Sequence, residues 1–191
     1  IGAVLDSERA QTADNLARQD PSRWDLAHVS RITNPLGSPE LKRHFGSNYP
    51  YALGVQSGLE EHGTRCLVSQ ARGGLSTVWG AAVLPTPHSE MGAWPFPATT
   101  LDPHYEAAGG VLSIAAVRGE LEDVFPFYGE PRPAARPTAQ ANQLLSHFRK
   151  TSQVLTDAGV RFGPSRLAME AGSCRDCALC LSGCPYGVIW S

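Results

Sequence analysis

Apolar positions fall in short runs that long polar and proline-rich stretches separate. The opening IGAVL is apolar or small and Asp6 follows it, which predicts the end of a short buried strand. Residues 7–48 are polar and predict loops with one or two short helices, the better of them over SERAQTADNLARQ. The runs YPYALGV and TRCLVSQ predict two further short strands.

The clearest helix signals lie in the second half of the chain. Asp102 and Pro103 predict a helix start, as N-cap and first helical residue, and the Gly-Gly pair at 109–110 predicts that this helix is short or kinked. The longest helix is predicted over residues 138–159, with one apolar face and with Gly159 at its end. Its apolar face consists of Leu144, Leu145, Phe148, Val154 and Leu155. VRFGPSRLAME then predicts a strand with a turn in the middle.

Composition narrows the class of protein. Hydrophobic residues make up 42% and charged residues 18%, which indicates a globular rather than a disordered chain. The order of predicted helices and strands indicates the α/β class, here with mixed α+β character and long loops. The net charge of −2 gives no basic face for nucleic acid, and no apolar run approaches the roughly 18–20 residues of a membrane span. Because the sequence opens on Ile1 rather than Met, we expect it to be a piece of a longer protein.

Four of the five cysteines form one tight run, C-x2-C-x2-C-x3-C-P. They are Cys174, Cys177, Cys180 and Cys184. This spacing is typical of bacterial ferredoxins, whose cysteines hold an iron–sulfur cluster. Two alternatives stay open: a local clasp of reduced or disulfide-paired cysteines, and a zinc site, for which the run is tight. The fifth, Cys66, is predicted to be a small buried residue in a strand rather than a ligand.

A second motif is GGLSTVWG, residues 73–80, the Gly-Gly segment. Two glycines allow the backbone to approach a ligand closely, and Ser76 and Thr77 add hydroxyls beside the aromatic surface of Trp79. Without further context, a tight turn with a core tryptophan explains the same residues. Asp6 could bind a ribose at the end of a dinucleotide-binding strand, although an acid there is usually a helix cap. No G-x-G-x-x-G occurs in the sequence.

Several blocks of the chain resemble one enzyme family. SQARGGLSTVWGAAVLP is similar to the flavin-binding segment of the glucose–methanol–choline (GMC) oxidoreductases. WPFPATTLDPHYEAAGGVLSI and CRDCALCLSGCPYGVIWS resemble blocks of a bacterial branch of that family, in the family's order. The resemblance implies that residues 1–191 are part of an FAD-binding Rossmann-like domain. Residues 1–6 would end a Rossmann strand, 66–87 would bind flavin, and 174–187 would be the cysteine segment.

The resemblance also implies a set of site residues. Those expected along the FAD are Asp6, Gly73, Gly74, Ser76, Thr77, Val78 and Trp79. Val78 stands where some members carry a histidine bonded to the flavin, so we expect FAD to be held non-covalently. The catalytic histidine is expected beyond residue 191, and none of the six histidines present is assigned that role.

The implied activity is oxidation of an alcohol or sugar CH–OH group by hydride transfer to FAD. An iron–sulfur cluster on the four cysteines would pass electrons singly to an acceptor protein or a quinone. The enzyme would be cytoplasmic or membrane-peripheral, with no nucleic acid partner. The alternative is a stand-alone iron–sulfur electron-transfer or metal-binding protein built on the cysteine run.

Overall fold

The computed structural model describes residues 7–29, 32–33, 41–51, 62–63, 69, 71–119 and 121–190. These residues form a mixed α+β structure with long loops. The chain divides into two compact units: unit 1 is Ile1–Ala81 with Cys177–Ser191, and unit 2 is Ala82–Asp176. The predictions for Asp6 and Cys66 lie outside the described residues, as does most of the two predicted strands YPYALGV and TRCLVSQ.

The described regular structure of unit 1 lies in residues 7–42 and in the Gly-Gly segment. Its elements are helix α1 (Ser7–Arg18), a 3-10 turn (Pro21–Arg23), helix α2 (Leu26–Val29), strands β1 (Ile32–Thr33) and β2 (Leu41–Lys42), and a 3-10 helix (Gly74–Val78). β1 and β2 pair antiparallel. The helix predicted over SERAQTADNLARQ is confirmed as α1. The predicted strand YPYALGV is wrong at its described start, because Tyr49–Tyr51 form a turn.

The core of unit 1 joins its N-terminal helices to the cysteine run. It consists of Leu16, Trp24, Val29, Phe45 and Leu179, with Ala13, Cys177 and Tyr186 packed against them. The indole of Trp24 donates from Nε1 to the Leu16 carbonyl at 3.1 Å. The backbone N–H of Phe45 donates to the Ser182 carbonyl at 2.8 Å. Leu179, between Cys177 and Cys184, is therefore part of this core, whereas its neighbours Ala178 and Cys180 are exposed.

Unit 2 is built around three helices and a two-stranded antiparallel pairing. Its elements are 3-10 helices at His88–Met91, Ala98–Leu101 and Ala171–Ser173, helices α3 (Asp102–Val111), α4 (Ala139–Lys150) and α5 (Ser152–Asp157), and strands β3 (Ile114–Ala115) and β4 (Leu167–Ala168). β3 pairs with β4. Of the strand predicted over 160–170, only β4 is regular, since the Gly-Pro turn occupies the residues before it.

Asp102 does not cap α3, contrary to the sequence-based expectation. It is the first helical residue, with Leu101 at the cap position. Its carboxylate instead accepts a hydrogen bond from the Tyr128 hydroxyl at 2.5 Å and lies 3.2 Å from Nε2 of His88. The helix continues through the Gly-Gly pair to Val111, so those glycines do not stop it.

The helix predicted over 138–159 is two helices, α4 and α5, that meet at Thr151. Thr151 has φ −110° and ψ 16°, and its hydroxyl donates to the His147 carbonyl at 3.1 Å. The backbone N–H of Thr151 donates to the same carbonyl at 3.2 Å, and a hydroxyl that shares a helical carbonyl in this way bends the helix, which ends α4. Gly159, at φ 75°, follows α5 and ends it as predicted. Two residues of the predicted apolar face, Leu144 and Val154, are exposed.

The longest described helices, α1 and α4, have 12 residues each. A helix needs about 20 predominantly apolar residues to cross the hydrocarbon core of a bilayer. In the part of the chain that the structure describes, no helix is long and apolar enough to do so.

Candidate functional site

The Gly-Gly segment begins with two residues in the left-handed region. Gly73 has φ 83° and Gly74 has φ 56°, values that glycine adopts without the steric cost of a Cβ. The N–H of Gly74 donates to the Ala71 carbonyl at 2.8 Å and closes the turn. A Cβ on Gly74 would meet no atom of the described residues within 4 Å. In this structure the backbone conformation therefore explains the glycine at 74, and the protein itself does not crowd that position.

The hydroxyls of Ser76 and Thr77 turn back onto this glycine pair. Ser76 donates to the Gly73 carbonyl at 2.5 Å, and Thr77 donates to the Gly74 carbonyl at 2.9 Å. A hydroxyl has one hydrogen and two lone pairs, so each oxygen is left to act as an acceptor. Thr77 and its neighbour Val78 are both buried.

His44 fixes the other side of Thr77. Its Nδ1 atom lies 2.9 Å from the Thr77 carbonyl oxygen, and because a carbonyl can only accept, Nδ1 carries the hydrogen. The imidazole is buried and contacts the ring of Phe45 at a centroid distance of 4.3 Å. No local sequence signal indicates this role, since the two partners are 33 positions apart and His44 lies in a region predicted to be loop.

Trp79 connects the Gly-Gly segment to the residues after the cysteine run. Its Nε1 donates to the Trp190 carbonyl at 3.1 Å, across 111 positions of sequence. Gly80 and Ala81 follow with φ 80° and 66°, two consecutive left-handed residues that turn the chain sharply. The indole is therefore held at a bend and tied to the C-terminal segment, as a ligand-facing aromatic group would need to be.

The cysteine run folds through tight turns with hydrogen bonds to sulfur. The N–H of Asp176 donates to Sγ of Cys174 at 3.4 Å, and the N–H of Val188 donates to Sγ of Cys184 at 3.3 Å. Asp176 and Ala178 both have positive φ, 53° and 60°, although neither is a glycine. Strained turns and N–H groups aimed at sulfur are features of thiolate ligand loops, where such bonds tune the bound metal.

The side chains nonetheless do not converge as metal ligands in this arrangement. All four cysteines are in the thiol form; Cys180 is exposed and the other three are half-buried. Within the described residues, no three His, Cys, Asp or Glu side chains lie close enough together to hold a metal ion. An iron–sulfur cluster or a structural zinc needs four converging ligands, so the residues as placed do not fit either group. The cluster stays a prediction, and no chemical step is derived through it.

One cavity in unit 1 brings the two motifs together. It has a volume of about 210 Å³, room for roughly seven waters. The site residues predicted from sequence that line it are Ser76, Thr77, Trp79, Cys180 and Cys184. His44 and Gly183 line it too, whereas Gly73, Gly74, Val78 and Cys177 do not. Residues of two motifs about 100 positions apart in sequence thus line the same cavity, together with a buried histidine.

Gly183 allows the cysteine run to approach His44. A Cβ at this position would lie 2.7 Å from Cε1 and 2.9 Å from Nδ1 of the imidazole, closer than real Cβ atoms come. Its φ of 112° is also a conformation that other residues rarely adopt. Only glycine satisfies both constraints, so this residue sets the spacing between the run and the histidine.

The chain was compared with protein families, curated proteins and solved structures. No protein-family profile matches the chain, and no match is found among curated proteins or solved structures.

Proposed function

We propose that the chain carries the flavin-binding segment of an FAD-dependent oxidoreductase of the GMC type. Its substrate would be an alcohol or a sugar, oxidised at a CH–OH group. The resemblance of the sequence blocks supports the family, and the shared cavity of unit 1 is the structural observation that carries the proposal. That cavity places Ser76, Thr77 and Trp79, which the resemblance assigns to flavin, on one continuous surface.

The cavity fits a ring-sized part of the cofactor. Its 210 Å³ is below the roughly 300–1,000 Å³ of pockets that enclose a whole drug-sized ligand. The oxygens of Ser76 and Thr77 would accept hydrogen bonds from a ring N–H, because their own hydrogens are given to Gly73 and Gly74. The indole of Trp79 would pack on the flavin ring, either stacked on its face or edge-to-face. We also propose that these residues are part of the FAD-binding Rossmann-like domain that the resemblance implies.

Two buried residues of the Gly-Gly segment and its surroundings, His44 and Val78, have defined tasks in this proposal. FAD, when bound, supplies the hydride acceptor. His44 positions the Thr77 carbonyl and thereby the hydroxyl beside it. Val78 is buried and has no nucleophilic atom, so it cannot tether the flavin covalently. The electron acceptor would be a protein carrier or a quinone.

The experiment is a titration with FAD of the longer protein to which these 191 residues are expected to belong, followed by flavin and tryptophan fluorescence, because residues 1–191 contain no G-x-G-x-x-G to hold the phosphates of the cofactor. We expect quenching of Trp79, since it would contact the ring directly. Ser76→Ala should weaken binding about tenfold, the value of one hydrogen bond to a polar ring atom. Acid precipitation of the loaded protein should release all of the flavin into the supernatant, because Val78 forms no bond to it.

Ser89→Ala is the matched control. Ser89 is an exposed serine of unit 2 and does not line the cavity, so its loss should leave FAD affinity unchanged. If FAD does not bind, or if Ser76→Ala and Ser89→Ala behave alike, the flavin assignment of this segment is wrong. Flavin that stays with the acid precipitate would contradict the non-covalent part of the proposal alone.

A further inference from the structure

Three arginines of unit 2 line a second small cavity, of about 150 Å³. They are Arg118, in the loop after β3, Arg149, in the last turn of α4, and Arg166, just before β4. Segments distant in sequence therefore contribute three arginines to the wall of one cavity. Nothing in the flavin proposal uses this cavity.

Arg166 is a buried cation that has only neutral partners. It is 4% exposed, and its two terminal nitrogens donate to the carbonyls of Pro126 at 3.0 Å and Phe125 at 2.6 Å. Its Cζ lies 5.0 Å from the centre of the Phe127 ring. Among the described residues, no carboxylate forms an ion pair with it. Burying a charge is costly, and Glu122 acts on this one through its charge without forming an ion pair with it, so a bound anion would stabilise the arrangement further.

Arg118 brings a second charge against the same ring. Its Cζ lies 5.1 Å from the Phe127 centre, and one nitrogen donates to the Gly129 carbonyl at 2.9 Å. It pairs with Glu122 at 3.3 Å, and that carboxylate also accepts from the Gly119 N–H at 2.8 Å. Burial lowers the pKa of the Arg166 guanidinium, Glu122 opposes that effect, and Arg118 adds to it. Glu122 thus supplies one negative charge against three positive ones.

Arg149 completes the set from the solvent side. It is exposed, and within the described part of the chain it forms no ion pair or side-chain hydrogen bond. Its position in the last turn of α4 also lets it oppose the negative end of the helix dipole. Its guanidinium is available to a ligand that enters the cavity.

We propose that the cavity between Arg118, Arg149 and Arg166 binds a phosphate-class oxyanion. A planar guanidinium fork matches the oxygens of phosphate with two parallel hydrogen bonds, and Arg149 can offer its whole fork. Arg118 and Arg166 already donate from both terminal nitrogens, so they would add positive charge and their remaining N–H groups. The volume equals that of about five waters, which admits a small oxyanion and excludes a nucleotide or a flavin. The site is separate from the flavin segment, which belongs to unit 1.

The test uses inorganic phosphate and the full 191-residue protein at low ionic strength, where charge interactions are least screened. Calorimetric titration should detect one phosphate per chain, and phosphate should raise the thermal midpoint above that in potassium chloride of equal ionic strength. Arg149→Gln should weaken phosphate about tenfold, the loss of one charge-assisted contact. Arg149 is exposed, so this variant should fold normally, which circular dichroism would check.

Arg136→Gln is the control for unspecific charge. Arg136 pairs with Asp176 on the surface of unit 2 and does not line the cavity, so phosphate affinity should stay within about twofold. Equal stabilisation by chloride, or equal affinity of Arg149→Gln and the wild type, overturns the proposal. So does acetate binding as tightly as phosphate, because the site would then not select a tetrahedral ligand.

A second variant, Glu120→Gln, tests whether a carboxylate of the chain occupies the anion site. Glu120 neighbours Gly119 in sequence and lies outside the described residues. If no carboxylate of the chain occupies the anion site, Glu120→Gln should change phosphate affinity by no more than about threefold. If phosphate binds the Glu120→Gln variant but not the wild type, that carboxylate is the counter-ion of the arginines and the proposal is overturned.

Discussion

The imidazole of His44 donates from Nδ1 to the carbonyl oxygen of Thr77 across 2.9 Å. The residue that follows it, Phe45, donates its N–H to the carbonyl of Ser182 in the cysteine run. Two adjacent residues thus connect the Gly-Gly segment and the cysteine run to the same stretch of chain. The geometry of the unit 1 cavity depends on these two hydrogen bonds.

We predict that His44→Phe destabilises the protein although it keeps the ring. The Thr77 carbonyl would lose its buried donor, a cost of about 1–3 kcal/mol. His44→Asn places an amide N–H near the former Nδ1 position and should recover part of the loss. Urea unfolding of the three proteins checks this. Equal stability of His44→Phe and the wild type would show that the hydrogen bond does not hold the segment.

Gly183→Ala should be more damaging than Gly187→Ala. Both glycines have positive φ, 112° and 63°, so both alanines carry a left-handed penalty of about 1 kcal/mol. Only at 183 would the added Cβ also strike His44, whereas at 187 it meets nothing within 4 Å. We expect a total cost of at least about 2 kcal/mol at 183. Thermal unfolding that ranks the two variants in reverse order would contradict the close approach.

Tyr128 should make the stability of the protein fall at high pH. Burial and then the hydrogen bond to Asp102 raise the pKa of Tyr128 from 10.0 to about 12. Below pH 10 the hydroxyl is protonated in both folded and unfolded states, so its stabilisation is fully present. Between pH 10 and 12 the unfolded state loses the proton first, and that stabilisation disappears.

The variant that isolates this effect is Tyr128→Phe. It should be less stable than the wild type at pH 8 by about 1 kcal/mol, the value of one part-exposed hydrogen bond. The difference should shrink as the pH rises from 10 to 12. Denaturant unfolding across that range measures it, and a difference that stays constant would show that the hydroxyl does not titrate as described.

Cys180 should react first with an alkylating reagent. It is the exposed member of the cysteine run, and Cys174, Cys177 and Cys184 are half-buried. Peptide mass spectrometry after short exposure to iodoacetamide, without oxygen, gives the order of modification. If all four thiols are protected together, and react only after a chelator is added, a metal holds them and the thiol arrangement described here is not the native one.

Local signals predicted the elements whose causes are local. The polar helix α1 and the stop at Gly159 follow from residues within each segment, and both are confirmed. The apolar spacing does not predict the break at Thr151, because the spacing continues through it. The cause of the break is a side-chain hydrogen bond to the carbonyl of His147. The position of Asp102 was misjudged because its carboxylate is engaged by Tyr128, 26 positions away.

The residues of the candidate site also fall into those that local motifs predict and those that depend on distant contacts. The sequence selected Ser76, Thr77 and Trp79 and, separately, the cysteines, because each set is a compact motif. It could not indicate that they share a cavity, since this depends on contacts such as that of Trp79 with Trp190. His44 and Gly183 were missed for the same reason. His44 contacts Thr77 and Gly183 contacts His44, and neither contact can be inferred from residues nearby in sequence.

The split course of unit 1 has a consequence for how the protein is made. Leu16 and Leu179 belong to one core but lie 163 positions apart in sequence. On a ribosome that adds about 5–20 residues per second, the apolar faces of α1 and Trp24 wait roughly 10–30 s for Leu179 to appear. Unit 2, which is contiguous, is synthesised completely in that interval. The nascent N-terminal segment is therefore expected to bind chaperones until Leu179 has left the ribosome.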